Sequence, residues 1–82
     1  MSIGDVMFNK RLRSTRLARK YTQQVMADYV GVTLRTYQKY EQGTVEPSFY
    51  SLVLIADKLD VSTDYLLCRD SFLARHEAYA DE

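Results

Sequence analysis

The sequence predicts an all-α fold in a single compact domain of five short helices. Apolar residues recur at helical spacing, as Phe8 and Leu12 do, and no segment shows the alternation typical of a strand. The 82 residues are enough to bury one modest core. Hydroxyl residues suited to capping a helix N-terminus precede four of the predicted helices. These candidate caps are Thr22, Thr33, Ser48 and Ser62.

Each helix has its own signals. The first is expected over residues 3–20, with Ser2 and Asp5 as a candidate capping box. The next are expected over residues 23–29, 34–42 and 49–59, and a last core helix after Ser62 through Leu67. Gly43 and Pro47 bound a loop, because both resist helix continuation. The predicted buried stripe of the fourth helix comprises Phe49, Leu52, Ile55, Ala56 and Leu59.

Thr22 to Gly43 is the most informative segment, because it is predicted to form two helices joined by a tight turn. Gly31 stands where the chain must turn sharply, a position that favours a positive φ. Ala27 is small enough to let the two helices cross closely. Tyr37 and Tyr40 lie on one side of the second helix and are expected to face inward. The opposite, polar side is typical of a helix that enters the DNA major groove.

Several motifs resemble those of one known family. They are Leu12-Arg-x-x-Arg16, Thr22-Gln23, Met26-Ala27, Val30-Gly31-Val32-Thr33, Tyr40-Glu41-Gln42-Gly43, Pro47-Ser48 and the run from Leu59 to Leu66. In this order they resemble the lambda-repressor-like, or Xre-type, helix-turn-helix family over residues 8–67. The resemblance implies a five-helix DNA-binding domain, assigned to residues 1–68, that binds double-stranded operator DNA as a homodimer. The family often has glycine at the position of Lys20, and an aliphatic residue at that of Tyr37 or Tyr40.

The resemblance also implies which residues contact DNA phosphates. Thr22 and Gln23 begin a helix, where free N–H groups and the helix dipole favour an anion. Thr22 has plain helix capping as an alternative role. Arg16 and Glu41 match family positions that pair, which leaves either a DNA contact or a purely structural salt bridge. The predicted phosphate contacts are Arg16, Thr22, Gln23, Thr33, Thr36, Gln42, Gly43 and Thr44, with Glu41, Ala27 and Gly31 as structural support.

Base readout is assigned to the outward side of the second helix of the motif. Arg35 lies in its first turn, and its fork of donors suits the O6 and N7 acceptors of guanine. Lys39 is one turn further along. Leu34 is expected to pack on a thymine methyl, with a partial core contact as the alternative. For Gln38 the alternative is a solvated side chain.

The net charge of zero conceals a division along the chain. Residues 1–43 carry eight Lys or Arg and three acidic residues, whereas residues 44–82 carry three and eight. A basic half that holds the motif would orient the protein on a polyanion. Chance segregation on solvated helix faces is the alternative.

The composition argues against other classes of function. One cysteine and one histidine give no ligand-spaced cluster, so we expect no metal, no cofactor and no catalytic site. No apolar run reaches the roughly 18–20 residues that span a bilayer, no signal peptide is apparent, and a single cysteine suits a reducing compartment. We therefore expect a cytoplasmic protein without membrane contact, and no small-molecule ligand, because no sensor domain follows the motif.

The resemblance implies dimer contacts in the part of the chain after the second helix of the motif. Tyr50 and Leu54 lie one turn apart where solvated side chains would be usual. Residues 69–82 are assigned to a separate tail, in which Phe72, His76 and Tyr79 have the spacing of a short C-terminal helix, with a frayed tail as the alternative. That tail keeps an alternative open, a protein-interaction module such as an antitoxin or adaptor on the same scaffold.

Overall fold

A computed structural model describes residues 7–68 of the chain. Within that range five helices and no strands are present, which confirms the all-α prediction. They are α1 (Phe8–Ala18), α2 (Gln23–Val30), α3 (Leu34–Gln42), α4 (Phe49–Leu59) and α5 (Thr63–Leu66). Residues 69–82 lie outside the described residues. The short helix predicted there, and the predicted division of the chain after residue 68, therefore stay predictions.

The predicted caps begin four of the helices. The hydroxyl oxygens of Thr22, Thr33, Ser48 and Ser62 each accept a hydrogen bond from the backbone N–H three residues later. Each cap thereby satisfies one donor that the first helical turn leaves unpaired. Gly31 ends α2 with φ 83° and Gly43 ends α3 with φ 80°, as the turn chemistry predicts.

The first helix is shorter than predicted. It begins at Phe8 instead of residue 3, because Met7 has φ 66° and this left-handed backbone cannot belong to a right-handed helix. Its end at Ala18 is two residues earlier than expected, since Lys20 is left-handed as well. The proposed capping residues Ser2 and Asp5 lie outside the described residues.

The core is shared by all five helices and contains the two inward tyrosines of α3. Its buried apolar side chains are Phe8, Leu12, Met26, Ala27, Val30, Tyr37, Tyr40, Leu52, Ile55, Ala56, Leu59 and Leu66. Helix α3 contacts α1 and α2, while α4 packs on α2 and α5. The helix-turn-helix unit is therefore supported from two sides, and the outward side of α3 stays accessible.

Phe49 was predicted to lie in the core, and this prediction is wrong, because its side chain is 82% exposed. At about 100° per residue, the buried face of α4 runs from Ser51 through Leu59 to Ala56. Phe49 projects roughly 20° beyond the Ala56 edge of that face. The i, i+3 spacing of Phe49 and Leu52 was therefore not sufficient to predict burial of Phe49. The buried face extends to Ser51 on its opposite edge instead.

Lys20→Gly is expected to raise the free energy of unfolding by about 0.5–1 kcal/mol. Lys20 has φ 63°, a conformation that costs an ordinary L-residue about 1–2 kcal/mol and that glycine adopts without strain. Glycine's greater freedom in the unfolded chain offsets about 0.5–1 kcal/mol of this gain. Urea unfolding measures the change. Asp60→Gly at φ 57° is the control, with a smaller expected gain because aspartate tolerates this conformation better. A loss of stability in Lys20→Gly would contradict the strain argument.

Candidate nucleic-acid interface

Helix α3 presents a polar side to solvent because its aromatic side holds it to the core. Tyr37 and Tyr40 are buried, with their rings edge to face and 6.1 Å between centroids. Arg35 is exposed in the first turn, as a base-reading residue must be. The other three residues predicted to read bases are half-buried, namely Leu34, Gln38 and Lys39. The structure brings all four onto one helix, and their contacts with bases stay a prediction.

Glu41 is the centre of a buried hydrogen-bond network that joins three helices. Arg16 of α1 donates to both carboxylate oxygens, with Nε 2.6 Å from Oε2 and Nη2 3.0 Å from Oε1. Oε2 also accepts from the Tyr37 hydroxyl at 2.6 Å, and Oε1 from the Gln23 amide nitrogen at 3.1 Å. Four donors thus satisfy one carboxylate, which makes its burial tolerable.

The network keeps both members of the ion pair charged. Burial acts to raise the pKa of Glu41, but the hydrogen bonds from Arg16, Tyr37 and Gln23 outweigh it and hold this pKa below its ordinary value. The hydrogen bond to Glu41 raises the pKa of Arg16. Burial, followed by the contact with Glu41, raises the pKa of Tyr37, so its hydroxyl stays a donor.

Arg16 keeps donor capacity beyond this pair. A third N–H, on Nη1, donates to the backbone carbonyl of Tyr21 at 2.9 Å. A guanidinium has five N–H groups, so these three contacts leave one on each terminal nitrogen. The paired carboxylate fixes the plane in which the two remaining groups point.

A further hydrogen bond links the network around Glu41 to the outward side of α3. The Gln38 amide nitrogen donates to the Gln23 side-chain oxygen at 3.3 Å. The Gln23 side chain is thereby oriented from both ends, and one of its N–H groups remains for another acceptor. Sequence reasoning paired Arg16 with Glu41 but missed Gln23, Gln38 and Tyr37 as members. Only the i, i+4 spacing of Tyr37 and Glu41 was available as a signal.

An open cleft of about 450 Å³ lies between α1 and the helix-turn-helix unit. Only polar or charged side chains line it, which suits an ionic ligand better than an apolar one. They are Arg13, Arg16, Gln23, Gln38, Glu41 and Gln42. Arg13 was not among the predicted phosphate contacts, although it belongs to the motif that begins at Leu12.

The remaining predicted phosphate contacts lie at helix ends. Thr22 and Thr33 cap α2 and α3, and the Thr33 hydroxyl also donates to that of Thr36 at 3.0 Å. The Thr22 and Thr33 side chains are exposed although they cap a helix, so for Thr22 helix capping and a phosphate contact are compatible roles. At the other end of α3, three exposed residues end the helix and begin the following loop, namely Gln42, Gly43 and Thr44.

The basic half of the chain is not a single surface. Arg11 donates to the Tyr65 carbonyl at 2.9 Å and lies 4.5 Å from the centre of the Tyr65 ring. Arg19 donates to the Leu59 carbonyl at 2.8 Å, at the C-terminus of α4, where a cation is favoured. Both arginines therefore help to hold α1 against α5 and the C-terminal end of α4.

Other site types find no support within residues 7–68. That range holds no cluster of three or more acidic, histidine or cysteine side chains able to bind a metal ion. None of its helices combines the length and apolar composition needed to cross a membrane.

The fold and the site geometry define a helix-turn-helix protein, and the comparisons with known proteins agree. A family model described as helix-turn-helix matches residues 12–66. The chain belongs to this family, which confirms the resemblance to its lambda-repressor-like, Xre-type members. The family is not enzymatic, so the expectation that the chain is not an enzyme is also confirmed.

Curated relatives are similar over the same region. The SPbeta prophage-derived uncharacterized HTH-type transcriptional regulator YonR of Bacillus subtilis is 46% identical over 61 residues, 74% of this chain and 56% of the relative. The cryptic phage CTXphi transcriptional repressor RstR of Vibrio cholerae is 45% identical over 60 residues, 73% of this chain and 54% of the relative. The chain spans a little over half the length of these relatives. No solved structure matches it significantly.

Proposed function

We propose that the protein is a sequence-specific regulator of transcription that binds double-stranded operator DNA through α3. The observation that carries the proposal is the exposed Arg35 on a helix whose opposite side is anchored by Tyr37 and Tyr40. A rigidly held helix can present base-reading side chains at a defined depth in the major groove. Repression is the favoured direction of control, because a relative of similar sequence is named a repressor.

The operator is expected to be two-fold symmetric and bound by a homodimer. Phe49 is 82% exposed and Tyr50 is 70% exposed, next to each other in the first turn of α4. Adjacent large apolar side chains on a surface are typical of protein contacts, and a second copy of the chain would cover them. This surface follows α3 in the chain, where dimer contacts were expected. If the operator belongs to a prokaryote or a phage, it lies in the cytoplasm, and we expect the protein to act there.

The experiment is a selection of bound sites from random duplex DNA at near-physiological salt, run in parallel with wild type and Arg35→Ala. Wild type is expected to recover a two-fold symmetric site with half-site centres about 10–11 base pairs apart. Arg35→Ala is expected to lose preference at one base position per half-site, worth about 1–3 kcal/mol, because a bidentate contact to guanine is removed.

The outcomes separate the parts of the proposal. An unchanged preference in Arg35→Ala would remove Arg35 from base readout. An asymmetric site would contradict the dimer. Recovery of salt-sensitive background alone would contradict sequence-specific binding and favour the protein-interaction class.

A further inference from the structure

Helix α1 contacts one residue of α3, Glu41, through both its side chain and its main chain. Arg16 holds the Glu41 carboxylate, as described above. Asn9 precedes Arg16 by seven residues, about two helical turns, so both side chains leave the same side of α1. The half-buried Asn9 side chain donates from its amide nitrogen to the backbone carbonyl of Glu41 at 3.5 Å, which is long for such a bond.

The Glu41 carbonyl lies in the last turn of α3, where helical carbonyls lack a partner within the helix. Two of these carbonyls, on Lys39 and Tyr40, accept from the backbone N–H of Gly43. Within residues 7–68 the Glu41 carbonyl accepts from the Asn9 side chain instead. Asn9 therefore caps the C-terminus of α3 from a different helix.

A close fit between Asn9 and Gly43 adds to this cap. A Cβ atom at Gly43 would lie 3.1 Å from both Cγ and Nδ2 of Asn9, which is shorter than the usual carbon contact of about 3.5–4.0 Å. Asn9 would have to move to make room, and its long bond to Glu41 has no length to spare. Gly43 is thus required for its φ of 80° and also for the approach of Asn9.

The two ends of α3 are consequently held by different parts of the protein. Its first turn, which carries Arg35, follows directly on the tight turn from α2 and is capped by Thr33. Its last turn carries Lys39 and is the turn that Asn9 contacts. Lys39 lies about 6 Å further along the helix axis than Arg35. A small rotation of α3 about its first turn would therefore move Lys39 more than Arg35.

We propose that Asn9 is a positioning residue that sets the orientation of α3 in the major groove, and hence which bases its last turn reads. Asn9 acts on specificity through the backbone of α3 and needs no contact with DNA. The proposal rests on the proposed DNA binding through α3 and adds a residue of α1 to the determinants of its specificity. One contact can bias the orientation of a helix by no more than its own free energy, so a modest effect is expected.

The first test compares the sites that wild type, Asn9→Ala and Arg35→Ala select from random duplex DNA. Arg35→Ala identifies the base position that Arg35 reads. Asn9→Ala is expected to keep the preference at that position and to lose about threefold to tenfold in preference at the other positions of the half-site, the range of one hydrogen bond. Ser14→Ala is the control, because its exposed hydroxyl donates to the Arg11 carbonyl of its own helix, and an unchanged preference is expected. Circular dichroism checks that each variant is folded.

The second test needs no DNA and uses two glycines that have nearly the same φ. Gly31 has φ 83°, and among residues 7–68 a Cβ added there meets no atom within 4 Å apart from its chain neighbours. Gly43→Ala is therefore expected to lower the urea midpoint of unfolding more than Gly31→Ala does. The excess is expected to disappear when both substitutions are made in Asn9→Ala, because the shorter side chain leaves room for the added methyl group.

Each outcome decides one part of the proposal. Selected sites that are unchanged in Asn9→Ala overturn the positioning role. A loss that is equal at every base position overturns it too, because Asn9 would then contribute to stability alone. Equal midpoint shifts for the two glycine variants overturn the close contact between Asn9 and Gly43. Absence of sequence-specific binding by the folded wild type overturns the proposed function and the positioning role with it, whatever the glycine variants show.

Discussion

Glu41→Ala is expected to lower the free energy of unfolding by about 3–5 kcal/mol. The substitution leaves Arg16 charged, with its side chain only 8% exposed and without its carboxylate partner. It also removes the acceptor of the Tyr37 hydroxyl and of the Gln23 amide. A buried charge or donor without a partner costs its full desolvation free energy, which is why the effect exceeds the value of the contacts themselves. Urea unfolding at neutral pH measures it.

Two variants show whether the loss comes from unpaired groups. Glu41→Gln keeps the shape and one acceptor oxygen, so a smaller loss is expected. The double variant Arg16→Met with Glu41→Leu removes both charges together, and it is expected to be more stable than Glu41→Ala alone. A cost below about 1 kcal/mol for Glu41→Ala would place the pair among weak surface contacts and contradict its description as buried.

The same pair makes stability depend on pH. The pKa of Glu41 is lower in the folded protein than its ordinary value of about 4.3. Its ionised form therefore stabilises the fold above that pH, and this stabilisation is lost as the pH falls through the lower, folded pKa. The difference in stability between wild type and Glu41→Gln is accordingly expected to be constant near neutrality and to shrink in acid.

Ala27→Phe is expected to lower the free energy of unfolding by about 1–3 kcal/mol and to weaken DNA binding. Ala27 is completely buried on α2, the helix that packs against both α3 and α4. Close-packed interiors have no room for an extra ring, so the neighbouring helices would have to separate. A separation of α2 from α3 would also disturb the contact between Gln23 and Glu41.

Thermal or urea unfolding and duplex binding measure the two effects of Ala27→Phe. Ala18→Phe makes the same change at an exposed position of α1 and is expected to have little effect on either. A stable Ala27→Phe that binds duplex DNA normally would mean that Ala27 does not lie at a close helix crossing.

Family membership and most of the helix-turn-helix unit were predictable from local signals. Thr22 and Gly31 delimit α2, and Thr33 and Gly43 delimit α3, through caps and turns that involve only three or four neighbouring residues. The pairing of Arg16 with Glu41 was reached through the resemblance, because nothing local connects residues 25 apart in the chain. Arg13 was passed over, because no local signal in the sequence shows that it lines the same cleft as Arg16.

The sequence by itself determined the helical class, the four capped N-termini and the inward direction of Tyr37 and Tyr40, because spacing and capping act within a helical turn. Only the tertiary structure decided the exposure of Phe49, the carbonyl partners of Arg11 and Arg19, and the four donors around Glu41. The physical reason is that these features depend on which helices pack together. Gln23 and Glu41 are 18 residues apart in the chain, and only the packing of α2 on α3 makes them neighbours.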